Sequence, residues 1–183
     1  MDLSGKIALV TGASRGIGEA LAIGLAEHGT DVIICDLESE SKGLANTQKQ
    51  IEKTGKKCWS YFLDVTKKSQ IQKMVSDILS DIGSIDILVN NAGILTPTSL
   101  EEIDEETWDN HFEVNTKGVL LMCQSVLPHM REKKSGRIIN IASIAGRQGS
   151  PTQGHYASTK SAVITLTRVL AQEVGEAGIT VNA

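Results

Sequence analysis

The strongest constraint on this sequence is the regular exchange of short apolar runs with helical patterns. IALV (7–10), DVIIC (31–35), CWSYFL (58–63), IDILV (85–89), RIINIAS (137–143) and the start of ITVNA (179–183) each have strand length and are mostly apolar. A strand with one wet face alternates apolar and polar residues, whereas runs this continuous need cover on both faces. Between them lie segments with helical spacing. Ile17, Leu21 and Leu25 share one face of the first, closed by Gly29. Residues from about Ser41 to Thr54 form a polar second, ended by Gly55. Ile71, Met74, Val75, Ile78, Leu79 and Ile82 mark a third, closed by Gly83. A longer pattern runs from Asp104 to Met130, with Asp104 as N-cap and Glu105 and Glu106 in the first turn, where the helix dipole favours negative charge. Its VLLMC stretch (119–123) is apolar nearly all round and needs cover on more than one side, from its own sheet or from a partner subunit. A last amphipathic helix, from about Tyr156 to Glu176, carries Val163, Leu166, Leu170 and Val174. The alternation predicts an α/β fold: a doubly wound parallel sheet between two helical layers. No linker, repeat or low-complexity tract interrupts it, so residues 1–183 read as one domain.

Composition narrows the function. Eighteen Lys and Arg against 22 Asp and Glu give a net charge of −4, with no basic run. That balance argues against nucleic acid or an anionic membrane as partner. Cys35, Cys58 and Cys123 are far apart and lack metal-binding or CxxC spacing. They read as small hydrophobic residues in a reducing, cytoplasmic setting. His111, His129 and His155 show no metal-like spacing and are expected at the surface or in loops, with His155 able to border a pocket. No metal site is expected. The apolar stretch of MDLSGKIALVTG is too short for a signal peptide, and no run reaches membrane-spanning length.

The first strand ends in TGASRGIG (11–18). Gly12, Gly16 and Gly18 allow a tight turn and close approach of a ligand, while the helix starting there aims free N–H groups at it, which suits a pyrophosphate. Ser14, Arg15 and Ile17 belong to the same loop. Glycines also serve tight turns for purely steric reasons, so the context matters. Asp36 ends the second strand, eighteen residues beyond Gly18. A carboxylate there accepts hydrogen bonds from an adenosine ribose and repels a 2′-phosphate. Arg15 pulls the other way, since a guanidinium pairs with that phosphate. The balance favours NAD and keeps NADP open. Asp64 and Val65 follow the third strand and face either an adenine ring or only a turn. Asn91, Ala92 and Gly93, from NNAG (90–93), follow the fourth and either line the cleft or form a simple turn.

HYASTK (155–160) places Tyr156 and Lys160 one helical turn apart, with Cβ atoms about 6 Å from each other. At an effective dielectric of ~20, two unit charges at that distance interact by roughly 3 kcal/mol. The ammonium therefore favours the phenolate, the requirement for a tyrosine acting in general acid–base chemistry. Such a pair also occurs on ordinary surfaces. Ser143 adds to it, because it ends the fifth strand at the sheet edge where open α/β folds bind ligands. The loop that follows is able to return it to the first turn of the Tyr156 helix.

TGASRGIG, Asp64-Val65, NNAG, Asn115, Ser143 and YASTK (156–160) together resemble the short-chain dehydrogenase/reductase family, from Thr11 to Asn182. The thirteen-residue gap between Ser143 and Tyr156 is also similar to the family's. The resemblance implies a Rossmann-like fold and a catalytic tetrad. Tyr156 would be the acid/base, Lys160 would assist it and hold the nicotinamide ribose, Ser143 would position the substrate oxygen, and Asn115 would hold a water at a helix irregularity. It implies NAD-linked interconversion of a secondary alcohol and a ketone, in a homodimer or homotetramer. Two alternatives are an NADP-dependent 3-oxoacyl-thioester reductase and a nucleotide-binding module without catalysis. Family members continue past Val-Asn-Ala into a substrate lid and a final strand–helix unit, so that C-terminal part is expected to be absent from this chain.

Overall fold

The computed structural model describes residues 3–183, so the first two residues of the expected 1–183 domain lie outside it. Six strands form one parallel sheet: β1 (Ile7–Thr11), β2 (Asp31–Asp36), β3 (Cys58–Phe62), β4 (Ile87–Asn90), β5 (Gly136–Asn140) and β6 (Ile179–Asn182). Their order is β3-β2-β1-β4-β5-β6, so the winding reverses between β1 and β4. Side chains alternate across the sheet in the expected way. Leu9, Ile33, Leu88 and Ile138 point into one core, and Ala8, Val10, Val32, Ile34 and Val89 into the other. Both faces of the central strands are apolar because both are covered.

Helices α1 (Gly16–Glu27) and α2 (Ser41–Lys53) cover one face. The face that α1 buries is not the expected one. Gly18, Ala22 and Ala26 are buried, whereas Leu21 and Leu25 are only half-buried and Ile17 is 64% exposed. Small residues let α1 lie close on the sheet, which leaves Ile17 free to face the cleft.

The opposite face carries α3 (Lys68–Asp81), α5 (Gly118–Lys133) and α7 (Gly154–Val174). The long pattern from Asp104 is three segments end to end. These are α4 (Glu105–Phe112), a π-helical turn (Glu113–Lys117) and α5. Asp104 caps α4 as expected, its carboxylate accepting from the Thr107 N–H at 2.7 Å. Within VLLMC four residues are buried and Leu120 is 39% exposed. A short helix, α6 (Ala145–Gln148), lies in what the sequence presents as a loop.

β5 stops at Asn140, three residues short of Ser143. Its register pairs Asn90 with Asn140 and Ile139 with Asn182, so both neighbours end there too. Asn140 is tied inside the protein, accepting from Asn90 Nδ2 and donating to Thr167 Oγ1, both at 2.9 Å. All three cysteines are free and buried. Burial pushes the Cys58 and Cys123 thiols up to about 12, which makes them inert. No helix among the described residues is long and apolar enough to cross a membrane.

Candidate active site

A cleft of about 490 Å³ opens at the carboxyl ends of the strands, where winding reverses and open α/β sheets bind ligands. Gly12, Ser14, Arg15, Gly16 and Ile17 form one wall, with Asp36 beside them. Asp64, Val65, Asn91, Ala92 and Gly93 come in from β3 and β4, and Tyr156 and Lys160 from α7. Gly18 stays behind the wall. A methyl there would collide with the Gly12 carbonyl and the Asn91 amide, so its hydrogen permits the close packing of α1 on the loop.

Three residues fix the glycine loop against its neighbours. Gly12, at φ 65°, lies so near the loop after β4 that an added Cβ would meet the Ala92 Cα at 2.8 Å. Thr11 was not singled out by the sequence, yet its hydroxyl accepts from the N–H groups of both Asn91 and Ala92 at 3.0 Å. Asn91 returns the link, its amide donating to the carbonyls of Thr11 and Gly12 at 3.0 Å. The two loops that frame the cleft are thereby one unit.

At the far end, Asp36 Oδ2 accepts from the Ser14 N–H at 3.0 Å and Oδ1 from the Leu37 N–H at 2.9 Å. Arg15 is exposed, with Nη2 3.4 Å from Glu40 Oε1. Asp64 serves its own turn, accepting from the Thr66 N–H at 2.9 Å and its hydroxyl at 2.8 Å, while also reaching the cleft.

Tyr156 and Lys160 do share one cavity. The ammonium lies 5.6 Å from the centre of the phenol ring. It also donates to the Ile141 carbonyl at 2.7 Å. Lys160 is only 4% exposed, and burial pushes its pKa down to about 8. Asn115 sits in the π-helical turn, fully buried. Its Oδ1 accepts from the Ile94 N–H at 2.8 Å, and its Nδ2 donates to the Ile94 carbonyl at 2.9 Å and to Thr159 Oγ1 at 3.2 Å. The carboxamide thus grips the loop after NNAG and keys it to α7. π-Helical turns often occur at functional sites, and this one aims Asn115 inward.

Ser143 is placed differently. It precedes α6, and its Oγ accepts from the Ala145 N–H at 3.1 Å. It lines a second cavity of about 540 Å³ that adjoins the first at Ile141. The expected strand-end position is corrected to the turn that leads into α6, because the ladder of β5 ends at Asn140.

Two of the three histidines, His111 and His155, also depart from the expected surface or loop positions. His111 and His155 are buried, their rings T-shaped at 4.1 Å. His111 Nε2 accepts from the Thr96 N–H at 3.3 Å while Nδ1 donates to the Thr107 carbonyl at 2.7 Å. His155 Nε2 donates to the Thr96 carbonyl at 3.0 Å. They brace the loop beside Tyr156, and burial lowers the His111 pKa.

The donor set suits a dinucleotide: N–H groups at the start of a twelve-residue helix for phosphates, a carboxylate for the adenosine ribose, and a lysine and tyrosine at the other end. Comparison with known proteins agrees. The family described as short chain dehydrogenase matches residues 6–183. The 3-oxoacyl-[acyl-carrier-protein] reductase FabG of Staphylococcus epidermidis is 42% identical over 178 residues, covering 97% of this chain and 72% of that protein. Its namesake from Thermotoga maritima is 40% identical over 183 residues, covering 100% and 74%. A crystal structure of NAD+-bound xylitol dehydrogenase superposes with a TM-score of 0.96 at 32% identity, covering 100% of this chain and 70% of that one. The chain belongs to the short-chain dehydrogenase/reductase family. It is an NAD(P)-dependent oxidoreductase.

Proposed function

We propose that the protein reduces the ketone of a 3-oxoacyl thioester to the 3-hydroxyacyl thioester, with NADH as the preferred cofactor. The substrate half of this reading rests on relatives named as 3-oxoacyl-[acyl-carrier-protein] reductases at 40–42% identity. It narrows the secondary alcohol and ketone chemistry expected from sequence to one class of ketone. The cofactor half rests on Asp36, whose carboxylate stands at the ribose end of the cleft and opposes a 2′-phosphate. The observation that carries the whole is that Tyr156, Lys160 and the glycine loop line one cavity.

The glycine loop, Asp36 and Lys160 would hold a reduced nicotinamide dinucleotide in that cavity, which would supply the hydride that the ketone carbon takes up. Tyr156 supplies the proton: its phenol O–H is given to the carbonyl oxygen as the C–O double bond becomes single. The phenolate left behind lies beside the Lys160 ammonium, which stabilises it. Ser143 accepts the Ala145 N–H, which leaves its own O–H able to donate to the same substrate oxygen from the adjoining cavity. Asn115 acts through Ile94 and Thr159, holding the loop and α7 in register.

The test is direct. Purified protein with an acetoacetyl thioester should oxidise NADH at least tenfold more efficiently, in kcat/KM, than NADPH. Failure to reduce the thioester with either cofactor would reject the substrate, and a preference for NADPH would reject the cofactor. A second reading, oxidation of a small polyol by NAD, is favoured by the likeness to NAD+-bound xylitol dehydrogenase. Turnover of xylitol but not of the thioester would select it. The three unpaired thiols support a reducing, cytoplasmic location. Leu120 on α5 and Val169 on α7, 39% and 47% exposed, support a dimer or tetramer joined through those helices. Sedimentation of a monomer at micromolar concentration would oppose that assembly.

A further inference from the structure

Asp36, Asp64 and Glu40 bring carboxylates to the adenosine end of the cleft. Asp64 serves its own turn and Asp36 is explained by the reading above, which leaves Glu40. Glu40 lines the same cleft. It ends the 3₁₀ turn Glu38–Glu40 and immediately precedes α2. Its Oε1 lies 3.4 Å from Arg15 Nη2, and the two side chains are 30% and 79% exposed. Arg15 is the cleft's one arginine, and a guanidinium is the group that a ribose 2′-phosphate seeks.

The position of Glu40 is built in. Helix α2 is locked to the glycine loop one and two turns further on. An added Cβ at Gly43 would meet the Ser14 carbonyl oxygen at 2.6 Å. Thr47 Oγ1 donates to the Ala13 carbonyl at 2.9 Å. The start of α2 therefore moves with the loop that carries Arg15, and Glu40 stays within reach of the guanidinium.

We infer that Glu40 is a second cofactor-selecting residue, which discriminates against NADPH by engaging Arg15 and by adding a like charge beside the 2′-phosphate position. An exposed ion pair contributes little to stability, so its consequence is for selection. A 2′-phosphate has to take Arg15 from Glu40 while lying near both carboxylates. NADH, with a ribose hydroxyl there, meets neither obstacle. This inference rests on the placement of the adenosine ribose at Asp36 but not on which cofactor the parent prefers.

The experiment measures the ratio of Kd for NADPH to Kd for NADH by nicotinamide fluorescence, in the parent, Glu40→Gln, Asp36→Ser, and Glu40→Gln combined with Arg15→Ala. Glu40→Gln keeps the side-chain size and removes the charge. It should lower the ratio about tenfold, and adding Arg15→Ala should restore most of it. A merely structural Glu40 would change both dissociation constants together and leave the ratio in place. A ratio within twofold of the parent in Glu40→Gln, with Asp36→Ser shifting it, overturns the inference and leaves the role of Asp36 standing. A parent that prefers NADPH, with the ratio still falling in Glu40→Gln, overturns the NADH preference and supports the inference. If neither variant moves the ratio, both fail.

Discussion

Lys160 has to be charged to stabilise a phenolate, yet the fold buries it. Burial holds its pKa at about 8, against an ordinary 10.5. Below pH 8 the group is protonated in folded and unfolded chains alike, and the folded state carries the full cost of burying the charge. Between 8 and 10.5 the unfolded chain binds the extra proton, so this group makes stability rise with pH across that window. Lys160→Met removes that cost, up to about 3 kcal/mol, together with the donor to the Ile141 carbonyl, so its stability relative to the parent should be greatest at pH 7. That relative stability should fall between pH 8 and 10.5. Thermal melts over a pH series check this, and a difference that ignores pH contradicts it. The same residue shows what sequence can and cannot reveal. Its spacing from Tyr156 is visible as YASTK, because helical geometry is periodic. Its acceptor, the Ile141 carbonyl, is not, because a backbone oxygen leaves no mark on residue identity. Thr11 is hidden for a related reason, since a threonine ending a strand looks like any other until the NNAG loop folds over it.

Among the elements, the strands are legible because parallel strands covered on both faces become continuous apolar runs. β5 is the exception at its end. Ile141 and Ala142 prolong the apolar run, yet neighbouring strands have stopped, and only the ladder decides. Composition alone does not mark the π-helical turn at Glu113–Lys117, and only the family resemblance pointed to a helix irregularity at Asn115. Its consequence is testable. Asn115→Ala leaves the Ile94 N–H and carbonyl without their partner. The expected loss is about 2–4 kcal/mol, read as a lower urea midpoint, with a fall in kcat/KM as the loop loosens. An unchanged midpoint would show that Ile94 finds other partners. The buried face of α1 differs from the expected one for a different reason. Apolar spacing points to Ile17, Leu21 and Leu25, but close approach to the sheet selects the smallest residues, Gly18, Ala22 and Ala26.

For the molecule as a whole, strand order places the reversal between β1 and β4, so the loops after both strands meet above one crevice. The glycine loop, Asp36, NNAG, Tyr156 and Lys160 converge there although they are spread over 149 residues, from Gly12 to Lys160. Convergence of that kind follows from topology and was legible in the alternation of elements. That Ser143 opens onto a neighbouring cavity was not, since it depends on how α6 turns the chain after β5. In the proposed mechanism Tyr156 moves the proton in a cavity shared with the dinucleotide. Tyr156→Phe, assayed with an acetoacetyl thioester alongside a direct NADH titration, tests it most directly. kcat should fall at least about 100-fold, with the dissociation constant for NADH within about threefold of the parent. Undiminished turnover, or a collapse of NADH binding that by itself explains the loss, contradicts it.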